Sequence, residues 1–196
     1  MEPFKHLDAI AVPIARSNVD TDQIIPARYL QKPRADDFGA YLFRDLRFGA
    51  DGTEIDSFVL NQPPYRSARI VVAERNFGCG SSREQAVWAL HDYGIRAAIA
   101  PSFGDIFATN AAKNGLLPIV LPDATVTSTI DALQRKPGAR IAVDLASQIV
   151  VTPDGVRHRF DVDPFVKHCL LEGLDEISYT LTLLDRIEKF ESGYVS

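Results

Sequence analysis

Cysteine is scarce: Cys79 and Cys169 are the only two in 196 residues. That is too few for a disulfide scaffold, and an iron–sulfur cluster usually needs about four thiolates. Four histidines, His6, His91, His158 and His168, show no metal-ligand spacing. Adjacent His168 and Cys169 point away from each other in a helix and would not chelate. Basic charge is in deficit, with 21 Lys+Arg against 26 Asp+Glu and a net charge of −5. A chain of this sign is a poor general binder of nucleic acid. No run approaches the roughly 18 apolar residues of a membrane span. The start, Met1-Glu2-Pro3-Phe4-Lys5-His6, has no apolar run behind a basic stretch, so no secretory signal is expected. No nucleic-acid partner, no membrane and a cytoplasmic location are therefore expected. Internal repeats and low-complexity segments are absent as well.

What is present is an ordinary globular composition, 46% hydrophobic and 24% charged, which suits one domain across 1–196. Residues 9–15 read as a first strand, with Pro13 marking an edge or a bend. Residues 16–66 carry only short helical hints near 36–46, and an irregular stretch of that length in a domain is often functional. Ordering it is expected to need a partner's surface, leaving it mobile in the free chain. Regular alternation follows: strand 68–73, helix 82–93 stopped by Gly94, strand 96–100, helix 103–114 closed by Gly115, strand 116–121. A helix over 127–135, a hairpin of 141–145 with 148–152, and helices over 163–172 and 177–190 complete the chain. Strand–helix alternation through 68–121 argues an α/β class with parallel pairing. The hairpin makes the sheet mixed, flanked by helices.

The sharpest segment is Asn76-Phe77-Gly78-Cys79-Gly80-Ser81-Ser82-Arg83-Glu84-Gln85. It follows a buried strand and opens a helix. Two glycines let backbone approach a ligand, the helix start offers free N–H groups, and Arg83 adds a positive fork. Together these would hold a carboxylate or phosphate. The pattern lacks the third glycine of a dinucleotide fingerprint and the lysine of a phosphate loop. A plainer reading is capping, with Ser81 and Glu84, or Ser82 and Gln85, as a capping box. Cys79 is a weaker candidate nucleophile at a helix start, since no histidine lies nearby in sequence.

The second segment is Asn18-Val19-Asp20-Thr21-Asp22-Gln23-Ile24-Ile25-Pro26-Ala27-Arg28-Tyr29-Leu30. Its Asn/Asp alternation suggests a calcium loop, yet Gln23 and Tyr29 stand where that loop needs Gly and Glu. It reads either as an Asx-rich turn or as a ligand loop that turns Asp22 and Arg28 toward a small polar substrate.

These two segments resemble the opening loop and the signature helix start of the isopropylmalate dehydratase small-subunit family. Ser-Phe-Gly-Asp-Ile-Phe (102–107), Asn110, Lys-Asn-Gly-Leu-Leu-Pro (113–118) and Leu-Leu-Glu-Gly-Leu-Asp-Glu-Ile (170–177) extend the likeness from about Phe4 to Phe190, nearest the longer bacterial type. The resemblance implies the swivelling β/β/α domain of the aconitase superfamily. It implies isomerisation of 2-isopropylmalate and 3-isopropylmalate through 2-isopropylmaleate, in leucine biosynthesis. A [4Fe–4S] cluster is expected in a separate large subunit, with no cofactor bound by this chain. A small dicarboxylate is the expected substrate, and a heterodimer or higher assembly the expected state. By the motif match Ser81 is the base, acting as an alkoxide stabilised by Arg83 and the helix start. Ser82, Arg83 and Gly80 meet a substrate carboxylate, Asp22 orients, and Arg28, Tyr29 and Leu30 contact substrate. Related hydro-lyase subunits acting on homoaconitate or methylmalate/citraconate compounds, and a non-catalytic anion-binding module, are the alternatives.

Overall fold

Ile70–Ala73 is Ile-Val-Val-Ala, apolar on both faces, and forms strand β2 with all four residues buried. Strands buried on both sides read this way, without alternation. The computed structural model describes residues 1–34 and 37–194. Among these, β1 (His6–Ile14), β2, β3 (Ala97–Ala100), β4 (Leu117–Val120), β5 (Arg140–Asp144), β6 (Ile149–Val151) and β7 (Arg157–Arg159) form one sheet in the order β4-β3-β2-β1-β5-β6-β7. Pairing is parallel from β4 through β1 and antiparallel from β1 through β7. The expected mixed α/β sheet is therefore present.

Alternate side chains of β2 enter two cores. Val71 and Ala73 face α3 (Glu84–Tyr93) and α4 (Asp105–Lys113), while Ile70 and Val72 face α5 (Asp123–Arg135). Gly94, at φ 110°, ends α3 as expected, because its conformation favours a residue without Cβ. Pro13 sits in a central strand rather than an edge. Its register explains the tolerance: β5 pairs only with His6–Ile10, so β1 is one-sided where the missing N–H falls.

Three expectations need correction. The hairpin is a three-stranded meander, because β7 (Arg-His-Arg) pairs with β6 without an apolar pattern to announce it. The last helix is two, α7 (Glu176–Leu181) and α8 (Leu184–Tyr194), following α6 (Pro164–Glu172). Residues 16–66 are built of one-turn pieces, including α1 (Thr21–Ile24) and α2 (Arg44–Arg47). Residue 36, where the helical hint begins, lies outside the described residues. Phe38, Leu42, Phe43 and Leu60 are fully buried in the same core as α3. The ordering entropy of this segment is thus offset within the chain, not by a partner alone.

Candidate functional site

Three loops leave the carboxyl ends of β1, β2 and β3, the end where open parallel sheets hold ligands. Main-chain bonds zip them together. Gly78 N–H donates to Val19 O at 2.7 Å, Thr21 N–H to Cys79 O at 2.9 Å, and Gly104 N–H to Phe77 O at 3.0 Å. Asn18 and Asn76 both have positive φ, 56° and 63°, and their side-chain amides bond at 2.8 Å. The two segments singled out in the sequence, 18–30 and 76–85, are therefore neighbours, although roughly fifty residues separate them.

Their meeting point is an ion pair between Arg83 and Asp22. The Arg83 side chain is 17% exposed and that of Asp22 54%, so the pair closes the turn from its solvent side. Ser81, Ser82 and Gly80 are exposed at the turn. Helix α3 begins at Glu84, two residues later than expected. Extended Arg83 is its N-cap, and no side chain caps it. The capping box is thus not formed, and both serine side chains are left for other work. The first N–H groups of α3 remain at hand for an anion.

The two glycines have different jobs. Gly80, at φ +93°, lets the chain turn into Ser81. Gly78 is buried, and a Cβ there would lie 2.2 Å from the Phe107 ring. Its smallness serves the packing of α4 rather than a ligand. Gly104 completes this contact, since its Cβ would lie 2.5 Å from Gly78 O. Neither role is readable from a turn motif alone.

Arg28 is placed differently. It follows the Ile24–Pro26 bend on a single 3-10 turn and makes a two-pronged pair with Asp45 at the start of α2. Those hydrogen bonds raise the Arg28 pKa and hold the Asp45 carboxyl below its usual range. The guanidinium also lies 4.7 Å from the Tyr29 ring centre, and Tyr29 stacks on Tyr41 at 4.3 Å. Leu30 stays near the turn: its carbonyl accepts from Gln85 Nε2 at 3.5 Å. Asp22, Arg83, Ser81, Ser82 and Gly80 thus share one place. Leu30 borders it through α3, and Arg28 is engaged by Asp45. Asp45 carried no sequence signal, being a lone carboxylate 17 positions away.

Cys79 is a poor nucleophile. It precedes the helix by five residues, and burial, with Asp20 nearby, pushes its thiol up rather than down. Among the described residues no three His, Cys, Asp or Glu side chains could hold a metal ion. Cys79 lies in the loop before α3 and Cys169 within α6, both free. This donor set does not fit an iron–sulfur cluster.

The profile of the aconitase C-terminal domain matches residues 1–124, and a second profile, LeuD_N, matches 130–164. The 3-isopropylmalate dehydratase small subunit of Paramagnetospirillum magneticum is 52% identical over 97% of this chain and 95% of its own length. That of Jannaschia sp. is 52% identical over 98% and 96%. A crystal structure of 3-isopropylmalate dehydratase from Methanocaldococcus jannaschii superposes with a TM-score of 0.67 at 26% identity, covering 96% of this chain and 99% of that one.

Proposed function

The chain belongs to the family of 3-isopropylmalate dehydratase small subunits, and from that premise we propose how its residues share the reaction. It is the small subunit of a hydro-lyase that interconverts 2-isopropylmalate and 3-isopropylmalate through 2-isopropylmaleate, and it works with a large subunit. The names of the relatives favour isopropylmalate over homoaconitate and methylmalate compounds.

Dehydration must remove a proton from carbon beside a carboxylate, and negative charge builds there. Ser81 Oγ takes that proton. A free serine is a very weak base, so its anion needs stabilising neighbours. Arg83 and the N–H groups opening α3 provide them. Ser82 and Arg83, with the exposed backbone at Gly80, hold a substrate carboxylate. Asp22 keeps the Arg83 fork aimed. Tyr29 and Leu30 meet the isopropyl group, and Arg28 reaches substrate only by leaving Asp45.

The observation that carries this reading is the Arg83–Asp22 pair, which gathers both sequence segments around the Ser81 turn. With only two thiols, one before α3 and one in α6, this chain is short of cluster ligands. We therefore assign the [4Fe–4S] cluster to the large subunit, where it would accept the departing hydroxide. One small and one large subunit are the minimum assembly. A cytoplasmic setting suits two free thiols; no helix among the described residues is long and apolar enough to cross a membrane.

The test is to mix this chain with its large subunit without oxygen and follow the alkene absorbance of isopropylmaleate. Turnover is expected with both subunits and with neither alone. An inactive mixture with an intact cluster, or faster turnover of homoaconitate or citraconate, would overturn the assignment.

A further inference from the structure

We propose that Thr21 is the positioning residue for Ser81, an inference that rests on the reading of Ser81 as the base. Thr21 opens α1 yet is only 1% exposed. Its N–H donates to Cys79 O at 2.9 Å. Its hydroxyl donates to Ser81 O at 3.1 Å. One buried residue therefore grips the backbone on both sides of Gly80.

That grip matters because Gly80, at φ +93°, is the freest joint of the turn. A Cβ built on Gly80 would lie 3.6 Å from Thr21 Oγ1, so the hydroxyl is packed close to the joint. Beyond Ser81 the next restraint is the Arg83–Asp22 pair, and Asp22 follows Thr21 directly. Helix α1 thus holds the turn at three successive points: Cys79 O, Ser81 O and Arg83. Thr21 supplies the first two, which hold the peptide planes on either side of the Gly80–Ser81 link. Without the hydroxyl, the Ser81 carbonyl keeps only the Arg83 N–H, at 2.9 Å within the same turn, so its tie to α1 is lost and Oγ can shift with the turn. A misplacement of about 1 Å in a reacting group costs on the order of 10²-fold in rate.

Thr21→Val keeps the branched shape and removes the donor, whereas Thr21→Ser keeps the donor and removes a methyl. Both are made in the full chain and assembled with the large subunit. Thr21→Val is expected to lower kcat by about 10- to 100-fold with KM nearly unchanged, and Thr21→Ser to stay within about threefold of the parent. Amide hydrogen exchange in the full chain alone should quicken at 78–83 in Thr21→Val, but not in Thr21→Ser, with β2 and β3 unaffected. Parent-like kcat in Thr21→Val, unchanged exchange at 78–83, or loss in Thr21→Ser equal to that in Thr21→Val would overturn the proposal. An inactive parent complex would instead count against the functional reading, and the exchange measurement would still decide Thr21.

Discussion

The turn at 76–84 and the stretch at 28–45 carry the two halves of the candidate site, and they are built in opposite ways. The turn is backed by the sheet: Gly78 is pressed against the Phe107 ring and Gly104 against the Gly78 carbonyl, and main-chain bonds tie it to two neighbouring loops. The stretch is held at its solvent side by surface contacts. These are the Arg28–Asp45 pair, the Tyr29–Tyr41 stack, and Arg34 paired to Asp92 at 2.7 Å over the Trp88 ring. A reacting group needs sub-ångström placement, which packed backbone supplies. Substrate selection needs contacts that can be exchanged, and exposed pairs worth about 0.2–1 kcal/mol each are easily retuned. On the proposed reading, this division would put chemistry on the core and choice of substrate on the surface.

The comparison breaks first if the stretch has no core of its own. Phe38 is fully buried and meets Tyr41 and Trp88 edge-on. Phe38→Ala is expected to remove about 3–5 kcal/mol of stability, as a large side chain lost from a packed core does. A loss of unfolding free energy below a fifth of that, read from denaturant melts, would make the stretch a loose covering. Hydrogen exchange in the free chain should accordingly protect 38–43 as well as β2.

A sharper contrast comes from a charge-conserving change at Arg83. Arg83→Lys keeps the charge but loses the fork that grips Asp22 and a carboxylate together. It is expected to lower kcat/KM about 10²-fold, roughly 2.7 kcal/mol. A loss below threefold would mean that a point charge suffices.

The smallest effect is expected at Asp45. Asp45→Asn releases Arg28 and should alter KM by only a few fold, with kcat kept. Its carboxyl titrates below the ordinary range because Arg28 hydrogen-bonds it. With the folded pKa depressed, the pair's contribution is complete above the unfolded carboxylate value of about 3.9. It is lost only as pH falls through the lower folded value. Both members are more than half exposed, so the difference between parent and Asp45→Asn should stay under about 1 kcal/mol. It should be flat from neutral pH to about 5 and shrink only below about 4. A difference that changes between neutral pH and 5 would contradict the pairing.

Much of this organisation was legible because its physics is local. The apolar runs at 68–73, 96–100 and 116–121, with Gly94 after a helical stretch, name parallel strands and helix stops directly. The serine–arginine turn and the Asn/Asp loop could be chosen by chemistry alone. What stayed hidden depends on distant partners. Asp45 acquires meaning only from Arg28, and Thr21 only from the Ser81 carbonyl. Gly78 acquires its meaning from Phe107, which arrives with α4. Phe38, Leu42, Phe43 and Leu60 enter the core from one-turn pieces too short to leave a periodic pattern, so the stretch looked like open loop. Strand β7 hides for the converse reason: an Arg-His-Arg edge strand is defined by its pairing, not by its hydrophobicity.

The central claim is that this chain delivers its reacting group from Ser81 and its carboxylate grip from Ser82. Steady-state kinetics of the assembled complex carrying Ser81→Ala, beside Ser82→Ala, test it most directly. Ser81→Ala should lower kcat by about 10³-fold or more while assembly is retained, and Ser82→Ala should act chiefly on KM. A kcat for Ser81→Ala within tenfold of the parent, or a larger kcat loss in Ser82→Ala, would contradict the account.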